Sequence, residues 1–166
     1  MPVRPVLRLP DPVLKRVADP VEGIDDVARA LAEDLIDTMR ASPACVGIAA
    51  PQIGVSLRAF VVDVTGHKKA VSCHGEFVLF NPEVLLAHGP LVAREGCMSV
   101  PDLTGDVPRA TRLVVRGLTP EGTERVLNVD AFEARAVQHE IDHLDGLLFL
   151  DRVTSADGVF RRKVYR

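Results

Sequence analysis

The sequence predicts an α+β fold, a mostly antiparallel sheet framework carrying two helices, and three observations lead there. An apolar stripe with helical spacing comes first, a run of β-branched segments fills the middle, and a second helical pattern follows. In the first stretch Ile24, Val27, Ala28, Leu31, Leu35 and Met39 recur with the 3.6-residue period of a helix that buries one face. Ser42-Pro43 ends it, because the residue before a proline resists the α region. Leu57–Val64, Glu76–Asn81, Thr111–Leu118 and Thr123–Val129 then read as strands. Thr119-Pro120-Glu121-Gly122 reads as the turn that joins the last two into a hairpin. The second helix is expected over Ala131 to Leu144. Asp130 is its N-cap, Glu133 completes a capping box three residues on, and Gly146 lies just past the end.

Composition narrows the function classes. With 47% hydrophobic residues, residues 1–166 are expected to form a single domain with a sizeable core. Twenty Lys and Arg against 23 Asp and Glu leave a net charge of −3, which offers no broad basic face for DNA. One Tyr, six Phe and no Trp argue against a stacking platform for single-stranded nucleic acid. No apolar run approaches the ~18 residues of a membrane span. The opening MPVRPVLRLP lacks the apolar region of a signal peptide, so a cytoplasmic, membrane-free protein is expected. Cys45, Cys73 and Cys97 are an odd count, which points away from a disulfide scaffold and toward thiol chemistry or metal ligation.

The sharpest motif is Gln138-His139-Glu140-Ile141-Asp142-His143 on the second helix. Residues four apart lie one turn up on the same face, so His139 and His143 can both reach one ion. Glu140 is rotated about 100° from His139 and can act on a water without being a ligand. An ion there lowers the pKa of its water toward neutrality, and the carboxylate shuttles the proton. An H-E-x-x-H string also arises by chance on amphipathic helices, so the rest of the chain must decide. A catalytic site of this type wants a third protein ligand. Metzincin and thermolysin-like proteases place it downstream as His or Glu, but Phe149 stands at the metzincin position and no His or Glu follows His143. The third ligand is therefore sought upstream, where Cys97 in Glu95-Gly96-Cys97-Met98-Ser99 offers a thiolate soft enough for Zn²⁺ or Fe²⁺.

Three segments in order resemble the peptide deformylases: Cys45-Val46-Gly47-Ile48-Ala49-Ala50-Pro51-Gln52, Glu95-Gly96-Cys97-Met98-Ser99 and His139-Glu140-Ile141-Asp142-His143. The likeness begins at Leu7-Arg8-Leu9-Pro10-Asp11-Pro12-Val13-Leu14 and runs to Leu144-Asp145-Gly146. It implies antiparallel sheets packed around a central metal-binding helix, with a further helix near the N-terminal end. It also implies a single catalytic domain that hydrolyses the N-formyl group from the formylmethionine of new peptides and releases formate. Carried over by position, Cys97, His139 and His143 hold one divalent ion and Glu140 is the general base. Gln52, through its amide, and Met98, through its backbone N–H, stabilise the formyl oxygen. Val46, Gly47, Gly96, Arg135 and Ala136 surround the peptide backbone and the methionine side chain, Arg135 with its stem inward and its head in water. Glu95 and Arg109 are read as an ion pair bracing the Cys97 loop. Asp142 is read as orienting a ligand His or nearby backbone.

The resemblance points to Fe²⁺ in the cell, with Zn²⁺, Ni²⁺ or Co²⁺ in purified protein. The partner is an N-formylmethionyl peptide, and the enzyme is expected to act as a monomer. The basic ending Arg161–Arg166 offers a transient electrostatic contact to the ribosome, a solvated tail being the plainer reading. Two rivals stay open: a deformylase-fold hydrolase of another N-formyl or N-acyl substrate, and a silent relative that binds formyl peptides without turnover. Cys45 replaces the first glycine of the family motif: it is strained if that position needs positive φ, and acceptable if the position needs only a small residue. His67, His74 and His88 are expected to be solvated and unassigned.

Overall fold

A computed structural model describes residues 3–162, so most of the basic ending lies outside the described residues. The first helix, α1 (Asp26–Arg40), starts where Asp25 accepts a hydrogen bond from the Ala28 N–H at 3.0 Å. Five strands form one antiparallel sheet in the order β1 (Gly47–Ala49), β2 (Ala59–Val62), β3 (Phe77–His88), β6 (Arg112–Leu118), β7 (Glu124–Asp130). A second antiparallel sheet contains β4 (Leu91–Cys97), β5 (Val100–Arg109) and β8 (Val159–Arg161), with β5 in the middle. The second helix, α2 (Ala131–Leu144), lies near the C-terminal end and carries the H-E-x-x-H residues.

The strand period explains how one sheet serves two helices. All four residues of β2 are fully buried. Ala59 and Val61 pack with Leu31, Leu35 and Met39 of α1, whereas Phe60 and Val62 pack with Ala134, Val137 and Leu144 of α2. Successive side chains point to opposite faces, so a wholly apolar strand is the mark of a sheet covered on both sides. A third, smaller core of Cys97, Val100, Val107, Leu148 and Phe149 underlies the second sheet. No helix among the described residues is long and apolar enough to cross a membrane.

Four expectations need correction. The strand expected to end at Asn81 continues to His88, because Asn81 takes a φ of 50° and the register shifts between Phe80 and Glu83. Asn81 is fixed there by paired side-chain bonds to the Val21 N–H and C=O, both 2.8 Å. The strands β4 and β5 did not stand out in the sequence, since Gly96, Pro101, Gly105 and Pro108 depress strand character, and β8 is only three residues long. Finally, α2 has the expected limits but no capping box. Asp130 accepts instead from the Ser72 N–H at 2.9 Å, and the buried Glu133 binds Ser72 Oγ, the His74 N–H and His74 Nδ1, each at 2.7 Å. Both acids hold a loop rather than the helix end, and His74 is tied rather than solvated.

Gly146 terminates α2 with φ 74°, and a Cβ there would lie 2.8 Å from the Lys15 carbonyl oxygen. Gly146→Ala adds a left-handed alanine and a backbone collision. The variant is expected to lose about 2 kcal/mol or more in chemical denaturation; a change within error would mean the chain relaxes freely at this point.

Candidate metal centre and substrate cleft

Two elements supply the three residues of the cluster. Cys97 ends β4, and His139 and His143 come from one face of α2. Their candidate ligand atoms all lie within 4.8 Å of one another. Cys97 Sγ is 3.4 Å from His143 Nε2. His143 is buried, and burial pushes its pKa well below the ordinary imidazole value, toward the neutral form that ligates. For His139, burial also opposes the charge, but contacts with Cys97 and Glu95 outweigh it and raise the pKa. Its Nδ1 is held by Glu95 Oε1 at 2.8 Å, which fixes the ring and aims the other nitrogen at the cluster. One thiolate and two imidazoles with an oriented ring fit a single borderline-soft divalent ion.

Glu140 stands beside this cluster, 3% exposed, with Oε1 buried and without a hydrogen-bond partner among the described residues. Burial pushes its carboxyl up to about 7. Gly47 makes room for it, since a Cβ on that residue would lie 2.8 Å from Glu140 Oε2 and 3.0 Å from the Val61 carbonyl oxygen. Gln52 is 2% exposed, not a loop amide in water. Its Oε1 accepts from the Ala49 N–H at 3.0 Å. That bond turns its amide nitrogen toward Ser99 Oγ (3.2 Å) and Cys97 Sγ (3.5 Å).

These groups open into a cleft of about 340 Å³. Val46, Gly47, Gln52, Gly96, Cys97, Met98, Arg135, Ala136, His139 and Glu140, all singled out in the sequence, line it, and His143 lies behind the wall. Met98 sits in the turn between β4 and β5. Two sheet edges border the cleft, because β1 and β4 each end their sheet.

The structure revises three roles. Arg135 lines the cleft, but its guanidinium is not in water: it bonds Glu95 Oε2 at 2.8 Å, the Val107 carbonyl at 2.9 Å and the Leu91 carbonyl at 2.6 Å. Asp142 orients neither a histidine nor backbone; it binds Arg109 Nη1 and, through both oxygens, Arg152. The histidine is oriented by Glu95, which does pair with Arg109 as expected, twice at 2.9 Å. Cys45 is the unstrained alternative: the positive φ of 58° belongs to the neighbouring Ala44 and not to Cys45. Sequence reading missed Phe132, Arg94 and Arg162 on the cleft wall. Phe132, Ala136 and His139 follow helical spacing, so Phe132 was discoverable; nothing local marks Arg162.

A buried H-E-x-x-H helix whose two histidines cluster with an upstream cysteine, beside a buried carboxyl, is the residue set of a metallohydrolase site. The polypeptide deformylase family model matches residues 3–158. A peptide deformylase from Desulforudis audaxviator is 45% identical, covering 98% of this chain and 99% of the relative. The crystal structure of a peptide deformylase from Legionella pneumophila superposes with a TM-score of 0.84 at 40% identity, over 92% of this chain and 87% of that one. A Met-Ala-Ser-bound peptide deformylase from Acinetobacter baumannii gives a TM-score of 0.84 at 35% identity, over 92% of this chain and all (100%) of that one. The chain belongs to the polypeptide deformylase family and is a hydrolase of that class. The family is metal-dependent, in keeping with the Cys97–His139–His143 cluster.

The thiols provide a test of the cleft's interior. Burial pushes the half-buried Cys45 up to about 11, while its Sγ lies 3.3 Å from the Gly47 carbonyl; Cys73 is exposed. The thiolate is the reactive form, so near pH ~8 iodoacetamide should label Cys73 well before Cys45, and Cys45 labelling should accelerate as pH rises toward that value. Peptide mass mapping reads the order; equal rates near pH ~8 would contradict the burial of Cys45.

Proposed function

We propose that this chain removes the N-formyl group from the N-terminal formylmethionine of newly synthesised peptides in the cytoplasm, as a single catalytic domain, releasing formate. The observation that carries the reading is the buried Glu140 oxygen, without a hydrogen-bond partner among the described residues, beside the Cys97–His139–His143 cluster in a cleft between two strand edges. An extended peptide can add to such an edge through main-chain hydrogen bonds, and β1 is one such edge beside Glu140. The methionine side chain then enters beside Ala136, Phe132 and the stem of Arg135.

Cys97, His139 and His143 hold the ion, with Fe²⁺ as the cellular metal. When bound, it supplies Lewis-acid polarisation and a water acidic enough to attack near neutrality. The chain's own groups do the remainder. Glu140 takes a proton from the attacking water and later hands it to the departing peptide amine, a task that suits a carboxyl titrating near the working pH. Gln52 Nε2 and the Met98 N–H receive the formyl oxygen as it becomes negative, donors of a kind each worth roughly 10²–10³ in rate. Glu95 keeps His139 oriented throughout.

The direct test is formate release from formyl-Met-Ala-Ser by protein purified without oxygen and loaded with Fe²⁺ or Ni²⁺, against a chelator-stripped sample. Turnover should require metal; none with metal bound would move the substrate to another formamide or N-acyl group. Glu140→Ala should retain the ion and lose at least ~10²-fold in kcat, the low end for a general acid–base group; near-normal turnover would remove Glu140 from the reaction. Cys97→Ser should bind the ion more weakly or select a different one, read by metal analysis after dialysis. Unchanged content would exclude Cys97 as a ligand.

A further inference from the structure

The second sheet turns one face toward the cleft, and register says which side chains stand on it. Arg94 is across from Asp106, Gly96 across from Thr104, and Thr104 across from Phe160. Residues two apart on an extended chain share a face. Arg162, two beyond Phe160, falls on this face, and its N–H donates to the Asp102 carbonyl at 2.9 Å. The space left by Gly96 is filled by the Arg162 guanidinium, so that a Cβ on Gly96 would collide with Arg162 Nη2. Gly96 adjoins Cys97, which puts this guanidinium on the cleft wall next to the metal ligands.

The other arginines of the cleft already have acidic partners. Arg135 is bound to Glu95, and Arg94 pairs with Asp106 at 3.0 Å while lying 3.6 Å over the Phe160 ring. Arg162 has no side-chain hydrogen bond or carboxylate partner among the described residues, although its guanidinium is packed in place over Gly96. Glu95 is saturated by Arg109, Arg135 and His139. Glu140 stands against Gly47 on the opposite edge. Among the described residues, the β4 side of the cleft therefore presents a guanidinium fork without an acidic partner, a geometry that matches a carboxylate.

We propose that Arg162 is a specificity-determining residue that favours formyl peptides with an acidic side chain at the first or second position after formylmethionine. The inference rests on the deformylase reading. An extended peptide advances about 3.3 Å per residue, so a chain with its formyl group at the metal ligands passes Gly96 within its first few residues. The acidic side chain meets Arg162 there, and Arg94, braced by Phe160 and Asp106, adds to the positive potential behind it.

The test compares kcat/KM for formyl-Met-Asp-Ser-Ala and formyl-Met-Ser-Asp-Ala with their lysine counterparts at low ionic strength. Calorimetric Kd values for the corresponding deformylated peptides are measured in parallel. The aspartate peptide of at least one pair should be favoured roughly two- to fivefold in both quantities, the scale of a partly exposed ion pair. Arg162→Ala should bring that ratio near one, Arg162→Glu should invert it, and about 0.5 M salt should compress it. A wild-type ratio near one for both pairs, or a ratio unmoved by both substitutions, overturns the proposal. If no metal-loaded peptide releases formate, it is the deformylase reading that fails, and the Kd ratios then decide Arg162's preference alone.

Discussion

The buried carboxylate of Glu95 is the point on which this architecture turns. It sits on β4, 8% exposed, and binds Arg109 of β5 and both Arg135 and His139 of α2. Burial alone would favour its neutral form, but Arg109 and His139 outweigh that and hold it well below the ordinary carboxylate range. One side chain thus joins the second sheet to α2 and orients His139, a member of the candidate metal cluster. From Arg109 the network continues through Asp142 to Arg152 at the surface. Removing one partner from such a buried cluster typically costs about 3–5 kcal/mol, because charges are stranded without water. An apolar replacement of the whole cluster could be as stable, yet it could not orient His139. What the charged cluster supplies that an apolar core cannot is a fixed orientation for His139.

Around that cluster the fold solves a spatial problem. A carboxyl whose pKa is raised toward neutrality must be dry, and a cleft residue must still be reachable from outside. Burying α2 against the five-stranded sheet dries Glu140. Leaving β1 and β4 as edges keeps a path open to it. The meeting point is Gly47, where strand and carboxyl approach more closely than any side chain would allow. The deformylase resemblance had marked this glycine as a substrate contact, and its packing role beside Glu140 became visible only in three dimensions.

Much was legible locally. The apolar period of α1, the limits of α2, the Thr119–Gly122 turn and the placement of His139 and His143 on one helix face depend on residues within a turn or two of one another, so pattern suffices. The segment around Cys97 and the buried Gln52 were recoverable because both stood in short motifs of the resemblance. The failures share a different cause. Asp130 and Glu133 have the spacing of a capping box, but Ser72 and His74, some sixty residues away, compete for them and win. The strands β4 and β5 contain prolines and glycines that argue against them, and are held by pairing with each other and by a distant core at Leu148 and Phe149.

The chain's local chemistry by itself determined which residues can bind a metal, which can transfer a proton and where the helices run, because ligand type and helical period are properties of neighbouring residues. The tertiary structure alone decided that Glu95 aims His139 while Asp142 holds arginines, and that Arg135 spends its charge on the frame. It alone brought Arg162 onto the cleft wall, through the pairing of a terminal strand with β5. Hydrogen-bond partners of buried charges are chosen by whatever the fold brings within about 3 Å, and sequence spacing carries no record of that choice.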